Sequence, residues 1–126
     1  MKKFENLFKL KSILGSKGWI EDKKIIGPYL IEERGLYEGL SSLLIRPQNT
    51  KELSQILYLC NKNNIKVVPQ GGRTGLCGGT IHSDIGNEIL ISLERMNKIK
   101  NINKENFTIT VEAGCILKNI QEEAKE

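Results

Sequence analysis

The segment of this chain that could most readily do chemistry runs from Pro69 to Thr80 and reads Pro-Gln-Gly-Gly-Arg-Thr-Gly-Leu-Cys-Gly-Gly-Thr. Glycine occupies five of the nine positions in 71–79. Because glycine permits a positive φ and a close approach of the backbone to another group, such a loop can present several bare backbone N–H groups. Concavities of this kind bind anions, and phosphate is the usual one. The segment is a candidate phosphate loop, with an ordinary glycine-rich connection as the alternative.

Two familiar phosphate-binding motifs do not fit this loop. No Lys-Ser or Lys-Thr pair follows the glycines, so the P-loop spacing is absent. The glycines fall as G-G-x-x-G-x-x-G-G, which does not contain the dinucleotide fingerprint G-x-G-x-x-G. A phosphate ligand would therefore be held in a different kind of loop.

The elements before the loop place it at the end of a strand. The apolar run 43–45 predicts a short strand, and Asn49 or Thr50 can cap the helix that follows. A second apolar strand is expected at 65–68, directly before the loop. The helix carries apolar residues at helical spacing, namely Leu53, Ile56, Leu57 and Cys60. Strand, helix and strand form a βαβ unit with parallel strands, and open α/β sheets bind ligands at the carboxyl ends of such strands. This placement favours the phosphate interpretation.

The rest of the chain divides around this unit. A helix is expected over 4–15, and residues 18–39 show little periodicity, so we interpret them as a connecting segment. The predicted organisation is an N-terminal helix and connecting segment over 1–40, followed by an ordered domain over 41–126. Further strands are expected at 88–93, 99–102 and 107–111, with a last helix that carries Ile116, Leu117 and Ile120 on one side.

Composition argues against several other classes of protein. Lys and Arg total 19 against 15 Asp and Glu, but the basic residues alternate with Glu and Asn as on a solvated surface. We therefore expect no nucleic-acid partner. The three cysteines include no Cys-x-x-Cys pair, and His82 is the single histidine, so the sequence predicts no metal site and no disulfide framework. Cys60 is expected to be a core residue. The cysteine content fits a reducing compartment.

The sequence also bears on location. No apolar stretch approaches the roughly 18 residues of a transmembrane helix, and the N-terminus lacks the apolar run of a signal peptide. We expect a cytoplasmic protein, with peripheral association with the inner membrane left open.

Three motifs in order resemble a known family. They are the run from Val67 to Gly79, the run Ile91-Ser-Leu-Glu-Arg-Met-Asn97 and the run Val111-Glu-Ala-Gly114. Together they resemble the FAD-binding domain of vanillyl-alcohol-oxidase-type (PCMH-type) flavoenzymes, with the D-2-hydroxyacid dehydrogenases as the most similar branch: D-lactate dehydrogenase, D-2-hydroxyglutarate dehydrogenase and the flavin subunit of glycolate oxidase. The likeness covers roughly residues 40–126. It implies an α+β fold, the first lobe of that domain, in which a small βαβ-containing sheet is flanked by helices and the chain stops before the second lobe.

The resemblance implies which residues contact FAD. The pyrophosphate would be wrapped by the backbone N–H groups of Gly71, Gly72, Arg73, Thr74, Gly75 and Gly78. The adjacent Gln70 and Leu76 are expected to bind the cofactor as well. Three further residues would lie near the flavin, namely Met96, Asn97 and Gly114. For these three, the alternatives are a core methionine, a turn asparagine and a helix-start turn. Cys77 is expected to be a small packing residue, with contact to the cofactor as the alternative, and His82 is expected to be a surface residue.

Arg73 departs from the family pattern. Relatives with this signature often have asparagine there, and covalent members of the superfamily commonly have a histidine that links to the flavin. The absence of that histidine implies non-covalent FAD. The arginine could reach a phosphate oxygen or point to solvent.

The resemblance implies that the chain belongs to an enzyme that oxidises a D-2-hydroxyacid to the 2-oxoacid. In the family, a second lobe and a substrate domain with histidines follow, and this chain carries no His-x-His, so we name no catalytic residue and no metal ligand in it. It would be half of a split enzyme that needs a partner chain, or a non-catalytic remnant. Half of a flavin domain should leave the face around Ile89, Ile91 and Ile109 partly uncovered.

Overall fold

The computed structural model describes residues 2–81 and 88–125, with side chains from residue 7 onward. The elements, in chain order, are α1 (Lys2–Leu14), β1 (Trp19–Ile20), α2 (Lys23–Ile26), β2 (Leu44–Ile45), α3 (Thr50–Lys62), β3 (Lys66–Gln70), β4 (Glu88–Ser92), β5 (Ile99–Asn103), β6 (Thr108–Val111) and α4 (Leu117–Glu123). A 3-10 turn over Gly27–Tyr29 follows α2.

Four strands form one sheet in the order β1-β2-β4-β3. The central strand β4 pairs in parallel with both β2 and β3, so that Leu90 lies opposite Leu44 on one side and Val68 on the other. The predicted parallel βαβ unit is confirmed, but β2 and β3 are not neighbours. The apolar run of β4 suits the centre, because a strand that is covered on both faces needs apolar residues in succession.

Helix α3 begins where the sequence predicts. Asn49 is its N-cap, and the Asn49 side chain accepts a hydrogen bond of 2.8 Å from the backbone N–H of Glu52. The Glu52 carboxylate in turn accepts from the N–H of Gln48 at 2.9 Å, so the first turn is closed from both sides. Ile56 and Cys60 are buried against the sheet. Burial raises the pKa of the Cys60 thiol to about 11, which agrees with the expected core role.

The two faces of the sheet are covered by different parts of the chain. Helices α1 and α3 pack on one face, where Leu10 and Ile56 contact the strands. Ile89 and Ile91 lie in that cluster at 4% and 1% exposure, so the expectation that this face is partly uncovered is wrong for both. The sequence-based expectation failed because it did not include α1 as a covering helix. Ile109 lies outside this sheet, in β6, and is half-buried.

The segment that looked like a connection packs on the sheet. Trp19 and Ile20 form β1, which pairs antiparallel with β2. Ile26 of α2 is 1% exposed and covers Leu44 and Leu90 on the second face. These elements are two and four residues long, too short for a periodic signal. The division at residue 40 stays a prediction, with core residues on both sides of it.

Strands β5 and β6 form a separate antiparallel hairpin. Its turn places Phe107 at φ 52° with 94% of its surface exposed. Helix α4 follows, and both its N-cap Ile116 and its first residue Leu117 are exposed rather than buried.

Candidate functional site

The glycine loop leaves the carboxyl end of β3 beside the end of β4. The N–H of Leu93 donates to the carbonyl of Gln70 at 2.9 Å, which extends the β3–β4 pairing by one residue. The predicted position of the loop, at the end of a parallel strand, is confirmed.

Backbone hydrogen bonds bring the three sequence motifs together at this edge. Beyond the Leu93–Gln70 bond, the N–H of Met96 donates to the Leu93 carbonyl and the N–H of Gly114 donates to the Met96 carbonyl, each at 2.8 Å. A Cβ added to Gly114 would lie 1.8 Å from the Leu93 carbonyl oxygen. Gly114 is therefore required for the contact between the second and third motifs.

The loop glycines border open space. A Cβ added to Gly71, Gly75 or Gly79 would meet no atom within 4 Å, and one added to Gly72 would meet only the Cδ1 of Ile116, at 3.7 Å. Within the described residues, no backbone N–H from 71 to 79 donates a hydrogen bond to the protein. Among the loop glycines, Gly78 has a positive φ, 72°. Uncommitted donors beside unfilled space are what close approach of a diphosphate requires, so the loop fits the phosphate part of FAD.

Gln70 closes the base of the loop. It is 1% exposed, and its Nε2 donates to the carbonyls of Tyr29 and Thr80, both at 2.7 Å. Its Oε1 is buried and accepts no hydrogen bond from the described residues. The amide thus fixes both ends of the loop and retains one acceptor for a hydroxyl or N–H group.

Arg73 folds back from the loop, and its side chain is exposed. Its backbone is in the left-handed region, at φ 61°. Its Nη1 donates to the Pro28 carbonyl at 2.9 Å, and its guanidinium lies 4.3 Å from the centre of the Tyr29 ring. The side chain therefore lies on the 3-10 turn, and its contact with a phosphate oxygen stays a prediction.

Tyr29 connects this arginine to the end of β4. Its hydroxyl donates to the Glu94 carboxylate at 3.0 Å, and Glu94 pairs with Arg46 at 2.5 Å. Burial, then the hydrogen bond and the negative charge of Glu94, raise the pKa of Tyr29 above its ordinary value. The phenol therefore stays protonated at neutral pH and serves as a donor.

A short hairpin contacts the far part of the loop. Ile31 pairs with Glu38, and the N–H of Gly39 donates to the Leu30 carbonyl at 2.8 Å. The Nη2 of Arg34 donates to the Leu76 carbonyl. A Cβ added to Gly78 would contact the Tyr37 ring at 3.3 Å, so this ring lies directly against the loop backbone.

Glu32 organises the hairpin from inside. Its carboxylate accepts from the N–H groups of Arg34 and Leu36 at 3.1 and 3.2 Å and from the Arg34 Nε at 2.9 Å. Burial alone would raise the pKa of Glu32, but the hydrogen bonds from Arg34 and Leu36 outweigh it and hold the pKa below the ordinary 4.5.

The lowered pKa of Glu32 predicts an acid-sensitive hairpin. The folded chain binds the proton more weakly than the unfolded chain does, so this carboxylate stabilises the fold above pH 4.5 and loses its effect as pH falls through the folded pKa. We expect Glu32→Gln to lower Tm at pH 7 and to reduce the fall in Tm between pH 6 and 3, measured by circular dichroism. The exposed neighbour Glu33 gives the control, Glu33→Gln. A wild-type acid slope in Glu32→Gln would contradict the assignment.

The residues predicted near the flavin lie close together, but not all of them line the same cavity. Asn97 and Gly114 line one cavity of about 260 Å³, together with Glu94 and Ile116. Met96 is not part of this lining and is buried at 4% exposure, as the core alternative expects. The loop residues Thr74, Gly75 and Leu76 are exposed. Their roles toward a cofactor stay predictions.

Two further sequence expectations concern Cys77 and His82. Cys77 is exposed, so its expected role as a packing residue is wrong, because the loop lies on the surface. His82 lies outside the described residues. In the part of the chain that is described, no group of three His, Cys, Asp or Glu side chains could hold a metal. No helix there has the length and apolar character to cross a membrane.

Comparison with known proteins decides the family. A family model described as an FAD binding domain matches residues 41–126. The chain belongs to this FAD-binding family. FAD is thus the cofactor of this domain, and the resemblance noted in the three motifs is confirmed.

Named relatives point to the same branch. The chain is 43% identical over 110 residues to a probable mitochondrial D-2-hydroxyglutarate dehydrogenase of Oryza sativa subsp. indica, covering 87% of this chain and 19% of the relative. It is 33% identical to a D-lactate dehydrogenase of Anaerostipes hadrus, covering 97% of this chain and 25% of the relative. The chain therefore spans about a fifth to a quarter of these proteins.

A solved structure supports the fold class. A crystal structure of p-cresol methylhydroxylase superimposes with a TM-score of 0.78 at 21% identity, over 97% of this chain and 25% of that one. The predicted α+β lobe with a βαβ-containing sheet is confirmed.

Proposed function

We propose that this chain supplies the diphosphate-binding part of a flavin-linked oxidoreductase, and that the whole enzyme oxidises a D-2-hydroxyacid to the 2-oxoacid. The observation that carries the proposal is the row of uncommitted N–H groups over 71–79 beside open space. The identities to a D-2-hydroxyglutarate dehydrogenase and a D-lactate dehydrogenase support the substrate class.

Within this enzyme, the loop binds and orients. Its N–H groups donate to the phosphate oxygens, and uncharged donors at short range can stabilise that charge without a lysine. The Oε1 of Gln70 accepts from a hydroxyl or N–H group, which would satisfy its unpaired position. When bound, FAD supplies the acceptor for the hydride that leaves the substrate carbon. The hold is non-covalent, because Arg73 occupies the position of the linking histidine.

The substrate proton requires a base from elsewhere. Oxidation of a 2-hydroxyacid removes a hydride from carbon and a proton from the hydroxyl group, and we assign no residue of this chain to the second step. We propose that activity needs the remaining sequence of the enzyme, on this polypeptide or on a partner chain. A cytoplasmic location, with peripheral membrane contact left open, is proposed with it.

The loop assignment predicts a selective loss of cofactor binding. Leucine at Gly75 would project into open space, so folding should persist while the diphosphate is blocked. We expect Gly75→Leu to raise the Kd for FAD at least about tenfold with Tm within about 2 °C of wild type. The control is Ser54→Leu, which adds a leucine on the exposed side of α3, away from the loop. Flavin fluorescence measures binding, in this chain or in its complex with the co-expressed remainder.

Competition identifies the part of FAD that is held. ADP, which carries the diphosphate, should displace FAD, whereas riboflavin should not. An unchanged Kd in Gly75→Leu would contradict the loop assignment. If the wild-type chain stays colourless even with the remainder co-expressed, the non-catalytic remnant is the correct description.

A further inference from the structure

The segment 28–37, which we call the clasp, contacts the glycine loop at four separate points. Two contacts come from the 3-10 turn and two from the hairpin. They are Arg73 to Pro28 and Tyr29, Gln70 to the Tyr29 carbonyl, Arg34 to the Leu76 carbonyl, and Tyr37 to Gly78. The clasp lies before residue 41, outside the part that matches the family model. Nothing in that match assigns it a role.

The contact between Arg73 and Tyr29 is made despite two terms that oppose folding, namely backbone strain and lost side-chain entropy. A residue other than glycine at φ 61° is strained, and the long side chain loses rotamer freedom when it is fixed. The guanidinium gains a hydrogen bond to Pro28 and a stacking contact with a ring that is itself held by Glu94. Arg73 therefore fixes the loop to the clasp three residues after Gln70.

The other contacts extend this attachment along the loop. Gln70 fixes the start of the loop to the Tyr29 carbonyl. Its side-chain amide is almost fully buried, so its two hydrogen bonds are shielded from water. Arg34 reaches Leu76, and the rigid ring of Tyr37 lies against Gly78. The attachments thus fall at residues 70, 73, 76 and 78, while the N–H groups between them remain uncommitted.

We propose that the clasp holds the glycine loop in its binding conformation before the cofactor arrives, and that Tyr29, Arg34 and Arg73 are positioning residues for FAD. A preorganised loop does not have to be ordered at the moment of binding, which strengthens affinity without new contacts to the ligand. This inference rests on the proposed function for its ligand. In this proposal the Arg73 guanidinium acts through Tyr29 rather than on phosphate, while the backbone N–H of Arg73 stays among the loop donors.

The first experiment uses the ligand-free chain and does not depend on FAD. Amide hydrogen exchange of the wild type is compared with Tyr29→Leu and Arg73→Ala. The informative amides are those of Ile81 and Leu93, which donate to the Gly78 and Gln70 carbonyls of the loop. We expect their exchange to accelerate at least about fivefold in both variants, with the other amides of the sheet unchanged. Lys11→Ala is the matched control, since Lys11 lies 4.3 Å from the Trp19 ring and pairs with Glu21, away from the loop. Wild-type loop exchange in both variants would overturn the proposal.

The second experiment separates positioning from direct phosphate contact. If Arg73 acts through Tyr29, Tyr29→Leu should weaken FAD binding about as much as Arg73→Ala, and the double variant should be no weaker than either. If Arg73 instead binds phosphate directly, Tyr29→Leu should leave the Kd for FAD unchanged. Arg73→Lys, which keeps the positive charge, should then bind FAD more tightly than Arg73→Ala does. That result would overturn the proposal while leaving the proposed function intact.

Failure of the proposed function would give a different result. Neither the wild-type chain nor its complex with the co-expressed remainder would then bind FAD or ADP, whatever the exchange data show. In that case the exchange experiment still decides whether the clasp orders the loop.

Discussion

Alanine at Gly114 is expected to destabilise the fold by at least about 3 kcal/mol, because its Cβ would overlap main-chain atoms that have no room to move. The added atom would lie 1.8 Å from the carbonyl oxygen of Leu93 and 2.9 Å from that of Met96. The Leu93 carbonyl already accepts from the Met96 N–H within the second motif, and the Met96 carbonyl accepts from the Gly114 N–H of the third motif. Relief of the overlap would therefore break the N–H bond of Gly114 as well.

Urea denaturation followed by circular dichroism measures this loss. Gly71→Ala is the matched control, since its Cβ would meet no atom within 4 Å. We expect the control to unfold within about 1 kcal/mol of wild type. If Gly114→Ala unfolds at the same urea concentration as the control, the close contact between the second and third motifs is wrong.

Glutamate at Gln70 is expected to cost about 3 kcal/mol or more at pH 7, although it changes the side chain by a single group. The carboxylate cannot donate to the carbonyls of Tyr29 and Thr80, so two partly buried acceptors would lose their partner and face a buried negative charge at position 70. Gln70→Leu, which removes the donors without adding charge, should lose about 2 kcal/mol. A lower free energy of unfolding for Gln70→Glu than for Gln70→Leu would show the effect of the buried negative charge.

Gln55 on the exposed side of α3 provides the control. Gln55→Glu alters the same chemical group in water and should leave the urea midpoint almost unchanged. Equal stability of Gln70→Glu and Gln55→Glu would mean that the buried amide does not close the loop. Exchange of the Ile81 N–H, which donates to the Gly78 carbonyl, should also accelerate in Gln70→Leu, because the Thr80 end of the loop would be released.

The parts of the fold that the sequence predicts are those with local causes. Asn49 caps α3 through a side-chain bond to a residue three positions away, and the glycine loop follows its strand directly. The parallel unit could be inferred from the order of strand and helix alone. The identities of the cofactor-contacting residues came from resemblance to a family, and they stay predictions here.

The rest depends on contacts between distant residues. Arg73 folds onto Pro28, 45 positions earlier, and nothing in the glycine motif indicates that partner. The sequence alone indicates only a connecting segment at the clasp, because the elements there are too short to show periodicity. One signal was available: Glu32, Arg34 and Gly35 form a compact turn of charged residues and glycine, as binding or supporting loops often do.

The central place of β4 has a consequence for synthesis on the ribosome. Its two neighbours, β2 and β3, are both translated before it, yet neither can hydrogen-bond to the other across the space that β4 fills. Their edges stay unpaired until residues 88–92 emerge, and unpaired edges of nascent chains are prone to aggregate. Slow translation between codons 71 and 87 would lengthen that exposed interval, and it would lower the yield of folded protein even though the mature sequence were unaltered.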